Sequence, residues 1–250
     1  MSQFVMVALW SIVVAMGHKS ADGMSLHTMA MLPVVPYVER TILKDSSDFD
    51  QWSPSDQDAA AIARAGCYFS LGTEKEAELI RRSKLVNPNL EVSFVTNGCN
   101  FLESRDYHWM SLSNQMKIED VVCQWFDNRG CRKPRRICGW MLDGYFQGRG
   151  YRVITTHYAI AYTCSSIGMP SKVLSVAALG SLNQISASDM LICSVRERDA
   201  VEQFVKINPT VPYGFVEVRD GCQIPIVELI VRLIKNLHDA RDAELLNGAD

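Results

Sequence analysis

The run Arg152 to Thr156, rich in β-branched residues, stops at His157, and Tyr158 to Ile167 reads at once as a helix. A strand that passes straight into a helix is half of a strand–helix–strand crossover, and repeated crossovers build parallel sheets with helices on their faces. The junction also leaves an imidazole at a strand's carboxyl end, the edge at which open parallel sheets bind ligands. A second histidine, in Asp106-Tyr107-His108-Trp109, again precedes a helix-like stretch, which starts near Ser113. With only five histidines in the chain, two at such junctions suggest a convergent site, and metal is the first chemistry to test there.

The alternation runs along most of the chain. Ser25 to Leu32 reads as a strand, and Tyr37 to Leu43 as a short helix. Ser53-Pro54-Ser55-Asp56 supplies an N-cap, a proline at the first helical position and an acid at the third, which starts a helix over Gln57 to Ala65. Cys67 to Leu71 is a strand, Gly72 a turn, Thr73 to Leu85 a charged amphipathic helix and Leu90 to Thr96 a strand. From Ser113 to Gly150 six glycines and prolines oppose one continuous helix, so a boundary belongs there. Strands at Arg152 to Thr156, Lys172 to Val176, Met190 to Cys193 and Tyr213 to Val218 then alternate with helices at Tyr158 to Ile167 and Arg196 to Ile207, and Ile224 to Leu246 closes the chain as a helix. The expected fold is α/β: two Rossmann-like lobes with parallel sheets, joined by a helical connection, with a cleft between them. The N-terminal lobe spans residues 24–112, the linker 113–150 and the C-terminal lobe 151–250.

At 250 residues and 48% apolar composition the chain can bury a real core. Its 25 basic and 28 acidic residues leave a formal charge of -3, so no global field draws nucleic acid or an anionic membrane toward it. Phe4 to Gly17 is almost wholly apolar but shorter than the roughly 20 residues that span a bilayer. Ala15 and Gly17 approximate a cleavage pattern, so residues 1–23 read as a signal peptide, with a buried first strand as the alternative. Secretion places the mature protein in a periplasmic or extracellular compartment, and eight cysteines suit an oxidising one. Cys123, Cys131 and Cys138 are close enough for one local bridge, whereas Cys67 and Cys193 lie in apolar runs and pack.

A cleft between two such lobes collects side chains from the carboxyl ends of strands in both, so His108 and His157 are expected to face one ion. The acids that complete the shell come from loops at the same edge: Asp48 or Asp50 from the first lobe, and Asp220, with Glu217 behind it, from the second. Imidazole with carboxylate suits divalent first-row metals.

At these residues the chain resembles the metal-binding solute-receptor subunits of bacterial zinc, manganese and iron importers of the ATP-driven class. Their Asp-Pro-His-x-Trp-Leu stretch is similar to Asp106-Tyr107-His108-Trp109-Met110-Ser111, with the proline replaced and the tryptophan one position early. Their His-x4-Tyr-x5-Gly block is matched in full by His157, Tyr162 and Gly168. Ser47 to Asp56 resembles the end of their Pro-His-x-Tyr-Glu-Pro-x-Pro-x-Asp segment, and counting back from Pro54 and Asp56 puts the ligand histidine's place on Asp48. The resemblance covers most of Met24 to Leu237, with contractions between Leu43 and Asp48 and between the two histidine motifs. It implies a shell of Asp48, His108, His157 and Asp220, a zinc, manganese or iron cargo, and a membrane permease as partner to a monomeric receptor that catalyses no reaction. Two carboxylates beside two imidazoles shift the balance toward manganese or ferrous iron, although the Irving–Williams order keeps zinc tight in any such site. Neutral imidazoles are required, so affinity is expected to fall below about pH 6.

Two other functions use the same residues. A metal-dependent hydrolase needs His108, His157 and Asp220 with an open position for water. A module that has lost its metal and serves adhesion or interaction is motivated by the missing histidine and the contractions. No Gly-x-Ser-x-Gly elbow, phosphate-cradling glycine loop or His-Glu-x-x-His pair occurs. Cys164 follows His157 by seven residues but sits mid-helix, a poor place for a nucleophile.

Overall fold

A computed structural model describes residues 26–28, 40–41, 49–130, 146–179, 186, 188–209, 211–218 and 226–236. The expected leader, the glycine-rich part of the linker from 131 to 145, the cysteines Cys131 and Cys138, and both Asp48 and Asp220 lie outside these residues.

Eight strands form two four-stranded sheets among the described residues, and every pairing is parallel. The first sheet holds β1 (Leu26–Thr28), β2 (Arg40–Thr41), β3 (Cys67–Ser70) and β4 (Glu91–Phe94), in the order β2-β1-β3-β4. The second holds β5 (Arg152–Thr155), β6 (Ser171–Val173), β7 (Asp189–Ser194) and β8 (Tyr213–Val216), in the order β6-β5-β7-β8. Each lobe thus starts at a central strand, winds one way for its second strand and the other way for its third. That reversal makes a switch point at the carboxyl ends of β1 and β3 in one lobe and of β5 and β7 in the other. His157 immediately follows β5 and so borders the second of these points.

The helices are α1 (Asp56–Ala63), α2 (Glu74–Val86), α3 (Leu112–Asp127), α4 (Tyr158–Ser166), α5 (Val176–Leu179), α6 (Arg198–Ile207) and α7 (226–236), with 3-10 turns at His108–Met110 and Val195–Glu197. Three details differ from the sequence reading: Val176, read as the end of a strand, opens α5 instead, and the other two lie in the first lobe. The N-cap of α1 is Ser55, not Ser53: its hydroxyl accepts from the Asp58 amide at 3.1 Å while the Asp58 carboxylate takes the Ser55 amide at 3.1 Å. A reciprocal capping box satisfies two amides, whereas a cap at Ser53 with Pro54 behind it satisfies fewer. Arg40 and Thr41, read within a helix-like stretch, form β2 instead, paired to His27 and Thr28 of β1.

The turn from β3 into α2 is held from inside. Glu76 is fully buried and takes the Tyr68 hydroxyl at 2.9 Å, the Leu71 amide at 2.9 Å, and the Thr73 amide and hydroxyl at 3.0 and 3.2 Å. Burial pushes this carboxyl up, and the four donors pull against the shift. Gly72 completes the turn at φ +71, a left-handed value that favours glycine.

The lobes share one core. A single cluster of buried apolar residues runs from Phe49, Ile62 and Phe69 through Trp109, Ile118 and Phe126 to Val153, Ile160, Tyr162, Ile192 and Ile230, and a smaller one lies under α6 around Leu191, Val201 and Phe204. Three polar ties reinforce the seam. The Tyr162 hydroxyl donates to the Ser104 carbonyl at 2.6 Å and accepts from the Leu102 amide at 2.8 Å, and the Leu112 amide donates to the Ser166 hydroxyl at 2.6 Å.

Replacing Glu76 by Ala strands several buried donors at once, so it should cost on the order of 3 kcal/mol or more. Urea denaturation of the variant against wild type measures this directly.

Candidate functional site

The carboxyl edges of both sheets meet at a small set of side chains on three loops. His157 sits between β5 and α4 and is itself the N-cap of that helix, its Nδ1 accepting the Ala159 amide at 3.1 Å. An acceptor at Nδ1 puts the ring proton on Nε2 in the neutral form. That nitrogen lies 2.9 Å from Asp50 Oδ2 of the other lobe and donates to it. The imidazole is mostly covered and the carboxylate about half exposed, so the pair adds only about 0–1 kcal/mol to stability, and its main effect is orientation.

Tyr107 completes the group. Its ring lies 4.8 Å from the His157 ring and edge-on to Phe49 at 5.4 Å, and its hydroxyl hydrogen-bonds Asp50. Burial works to raise the Asp50 carboxyl, but the hydrogen bonds from His157 and Tyr107 and the positive charge of Lys75 outweigh it and hold the group below the ordinary carboxylate range. Asp106 moves the other way, pushed up by burial and by the nearby Asp50 charge. Tyr107 reaches its place through a left-handed backbone, φ 63 and ψ 9, the only positive φ at a non-glycine among the described residues. For a bulky side chain that conformation costs about 1–2 kcal/mol, which packing on Phe49, Trp109 and His157 offsets.

His108 faces elsewhere. It is fully buried, its ring 5.2 Å from Phe101 and 5.4 Å from Trp109, with Nδ1 donating to the Arg105 carbonyl at 2.6 Å. Its Nε2 has no hydrogen-bond partner among the described residues. A ring oriented by a backbone carbonyl, with the other nitrogen's lone pair open, has the chemistry of a metal-ready imidazole. Its surroundings, however, are aromatic. Burial lowers its pKa to about 4, against a small upward pull from the Arg105 carbonyl, so the ring is neutral at pH 7.

The four sequence-derived ligands therefore fare differently. His157 stands at the cleft and is joined to an acid of the first lobe. That acid is Asp50, two residues after Asp48, which lies outside the described residues as Asp220 does. Tyr107, not His108, supplies the ring that meets His157. Among the described residues no group of three or more His, Cys, Asp or Glu side chains gathers closely enough to hold a metal ion. Glu217 directly follows β8, the edge strand of the second sheet, and is exposed in an open groove of about 380 Å³ with Phe215, Glu228 and Arg232. Cys164 is sealed in the core with its thiol pushed up to about 12 by burial, which rules it out as a nucleophile at neutral pH.

Sequence reasoning missed Tyr107 and Lys75. The signal for the first was the substitution of proline in the Asp-Pro-His stretch, since proline's fixed negative φ forbids the left-handed conformation seen there. For Lys75 the one local signal is a cation in the first turn of α2, where the helix dipole disfavours it, and that does not name its partner.

No protein-family model and no curated protein matches the sequence. Solved structures do. A crystal structure of ZnuA superposes with a TM-score of 0.59 over 86% of this chain and 98% of its own, at 14% identity. The Zn(II)-bound ZnuA-like domain of Streptococcus pneumoniae AdcA gives 0.57 over the same 86% and 98%, at 11% identity. A Mn-bound periplasmic metal-binding protein from Candidatus Liberibacter asiaticus gives 0.57 over 79% and 89%, at 14%. At these identities the likeness is one of fold, and it is the fold that the sequence resemblance led one to expect.

The buried neutral His108 carries a pH signature. Its folded-state pKa is about 4 against an ordinary 6.5, so between those values the unfolded chain holds the extra proton and acidification favours unfolding. Stability should fall from about pH 6.5 down to about pH 4, by at most about 1.4 kcal/mol per pH unit from this group. His108→Gln should flatten that slope in denaturation curves taken across the window.

Proposed function

We propose that this protein is an extracytoplasmic solute-binding receptor that captures a divalent transition metal, zinc, manganese or iron, in the cleft between its lobes and hands it to the membrane permease of an ATP-driven importer. One observation carries the reading: an imidazole at the switch point of one lobe joined to a carboxylate of the other, in a fold shared with ZnuA and with Zn- and Mn-bound proteins. No chemical transformation is needed for such a role. Receptor and permease pair through the family resemblance, and the apolar leader at residues 1–23 accords with export. Among the described residues no helix is long and apolar enough to cross a membrane.

In this reading His157 and Asp50 form the core of the cargo site, with Asp48 and Asp220 as further ligands the resemblance supplies; His108, which the resemblance also supplies, would have to leave its packing on Phe101 and Trp109 to join them. The donor set of imidazole nitrogen and carboxylate oxygen fits a first-row divalent ion, and its oxygen content favours manganese or ferrous iron more than an all-histidine shell does. His157 has to change roles to take part. A cation at Nε2 needs the lone pair of that nitrogen, yet Nε2 carries the proton while Nδ1 serves the Ala159 amide. The imidazole therefore serves either the helix and Asp50 or a cation, and cargo uptake gives up a helix cap worth about 1 kcal/mol. Asp50, released from its donor, offers its oxygen at the same place.

A second reading, a cleft that no longer takes metal and serves adhesion or interaction, is favoured by the burial of His108 among Phe101 and Trp109. The two readings part on one measurement. Protein purified without added metal should hold zinc, manganese or iron by elemental analysis and titrate with zinc and manganese in calorimetry. His157→Ala should abolish that titration while lowering stability by only about 1 kcal/mol, the worth of the lost cap. A wild-type protein with near-zero metal content and no titratable affinity would replace the receptor by the interaction module.

A further inference from the structure

We propose that Lys75 is the positioning residue of the cleft: its ammonium gathers the main-chain carbonyls of Phe49, Asp50 and Trp52 and so holds the Asp50 carboxylate against His157. The three Nζ–oxygen distances are 2.6, 3.0 and 2.8 Å, and the same ammonium lies 4.6 Å from the centre of the Phe49 ring. An ammonium has three protons and no acceptor, so a tripod of carbonyls satisfies it completely. Those carbonyls belong to one turn of chain, closed by the Trp52 amide on the Phe49 carbonyl at 3.2 Å, and Asp50 is its second residue. The side chain that reaches His157 is thus fixed from below by a cation on helix α2.

The place of Lys75 in its own helix argues that it is there for the loop. Thr73 is the N-cap of α2, which puts Lys75 in the first turn between Glu74 and Glu76. A cation in the first turn opposes the helix dipole, whereas the acids on either side complement it. The neighbouring Glu76 is locked by its four hydrogen bonds, so the base of the Lys75 side chain hardly moves. Three charge-assisted bonds at its tip and the contact with Phe49 fix the otherwise flexible Lys75 side chain, and with it the loop that carries Asp50.

Two readouts test this, and only the second rests on the metal-receptor reading. The first is the hydrogen-bonded His157 Nε2–H proton resonance of the full chain. The second is zinc affinity by calorimetry. Lys75→Ala should keep its thermal midpoint within about 5 °C of wild type, since the capping box of α2 is intact. It should lose the Nε2–H resonance and bind zinc roughly 10–100-fold more weakly, as loss of a ligand's support does. Propylammonium, which replaces the deleted stem and its three N–H donors, should restore both signals. Tetramethylammonium, which has the charge without the donors, should restore neither. Lys75→Met, which keeps the stem over Phe49, serves as the second variant should the Ala protein fail to fold, and it should show the same two losses. Retention of the resonance and of wild-type zinc affinity in a folded variant overturns the proposal, as does equal rescue by both cations. If wild type itself binds no zinc, the receptor reading fails and the resonance alone decides the role of Lys75.

Discussion

The arrangement of the cleft depends on apolar surface that neither lobe buries alone. Tyr107, Trp109 and Met110 from one lobe and Ile160 and Tyr162 from the other lie in or beside the same buried cluster, and each fully buried side chain of this size contributes about 1.5–3 kcal/mol. The hydrogen bond between His157 and Asp50 is worth about 0–1 kcal/mol beside that. Packing therefore sets where the imidazole and the carboxylate are, and the polar pair follows from it. The hydroxyls of Tyr162 and Ser166 then close the seam by satisfying backbone groups of the opposing loop, which would otherwise be stranded at the contact.

Two costs sit side by side at the centre of this seam. Tyr107 holds a left-handed backbone, and the next residue, His108, buries a nitrogen with no hydrogen-bond partner among the described residues. Both features oppose folding, and both belong to the turn that faces the second lobe. Unfavourable local choices of this kind concentrate where a protein binds or switches. Here they bear directly on which ring, phenol or imidazole, meets His157.

Much of the architecture was legible because it is local. Period-two and period-three-to-four apolar patterns mark most strands and helices, and the parallel sheets follow from their alternation. β2 was less so. Arg40 and Thr41 carry no strand pattern of their own and become a strand by pairing with β1. The start of α1 was misplaced because Ser53 and Ser55 both precede an acid three residues on or nearby, and only the reciprocal bonds of Ser55 and Asp58 distinguish them.

For the site, the sequence by itself determined that His157 stands at a strand's carboxyl end, that Asp50 is a candidate acid on a first-lobe loop, and that the chain winds into two parallel-sheet lobes. These depend on residues within a few positions of each other. Only the tertiary structure decided that Asp50 is the acid His157 meets, that Tyr107 takes the place beside it while His108 turns into aromatic packing, and that Lys75 ties the loop from a distance of some 25 residues. Each of those choices is made by contact between segments far apart in the chain, where a single backbone dihedral or one shared cation redirects a side chain, and no local pattern encodes it.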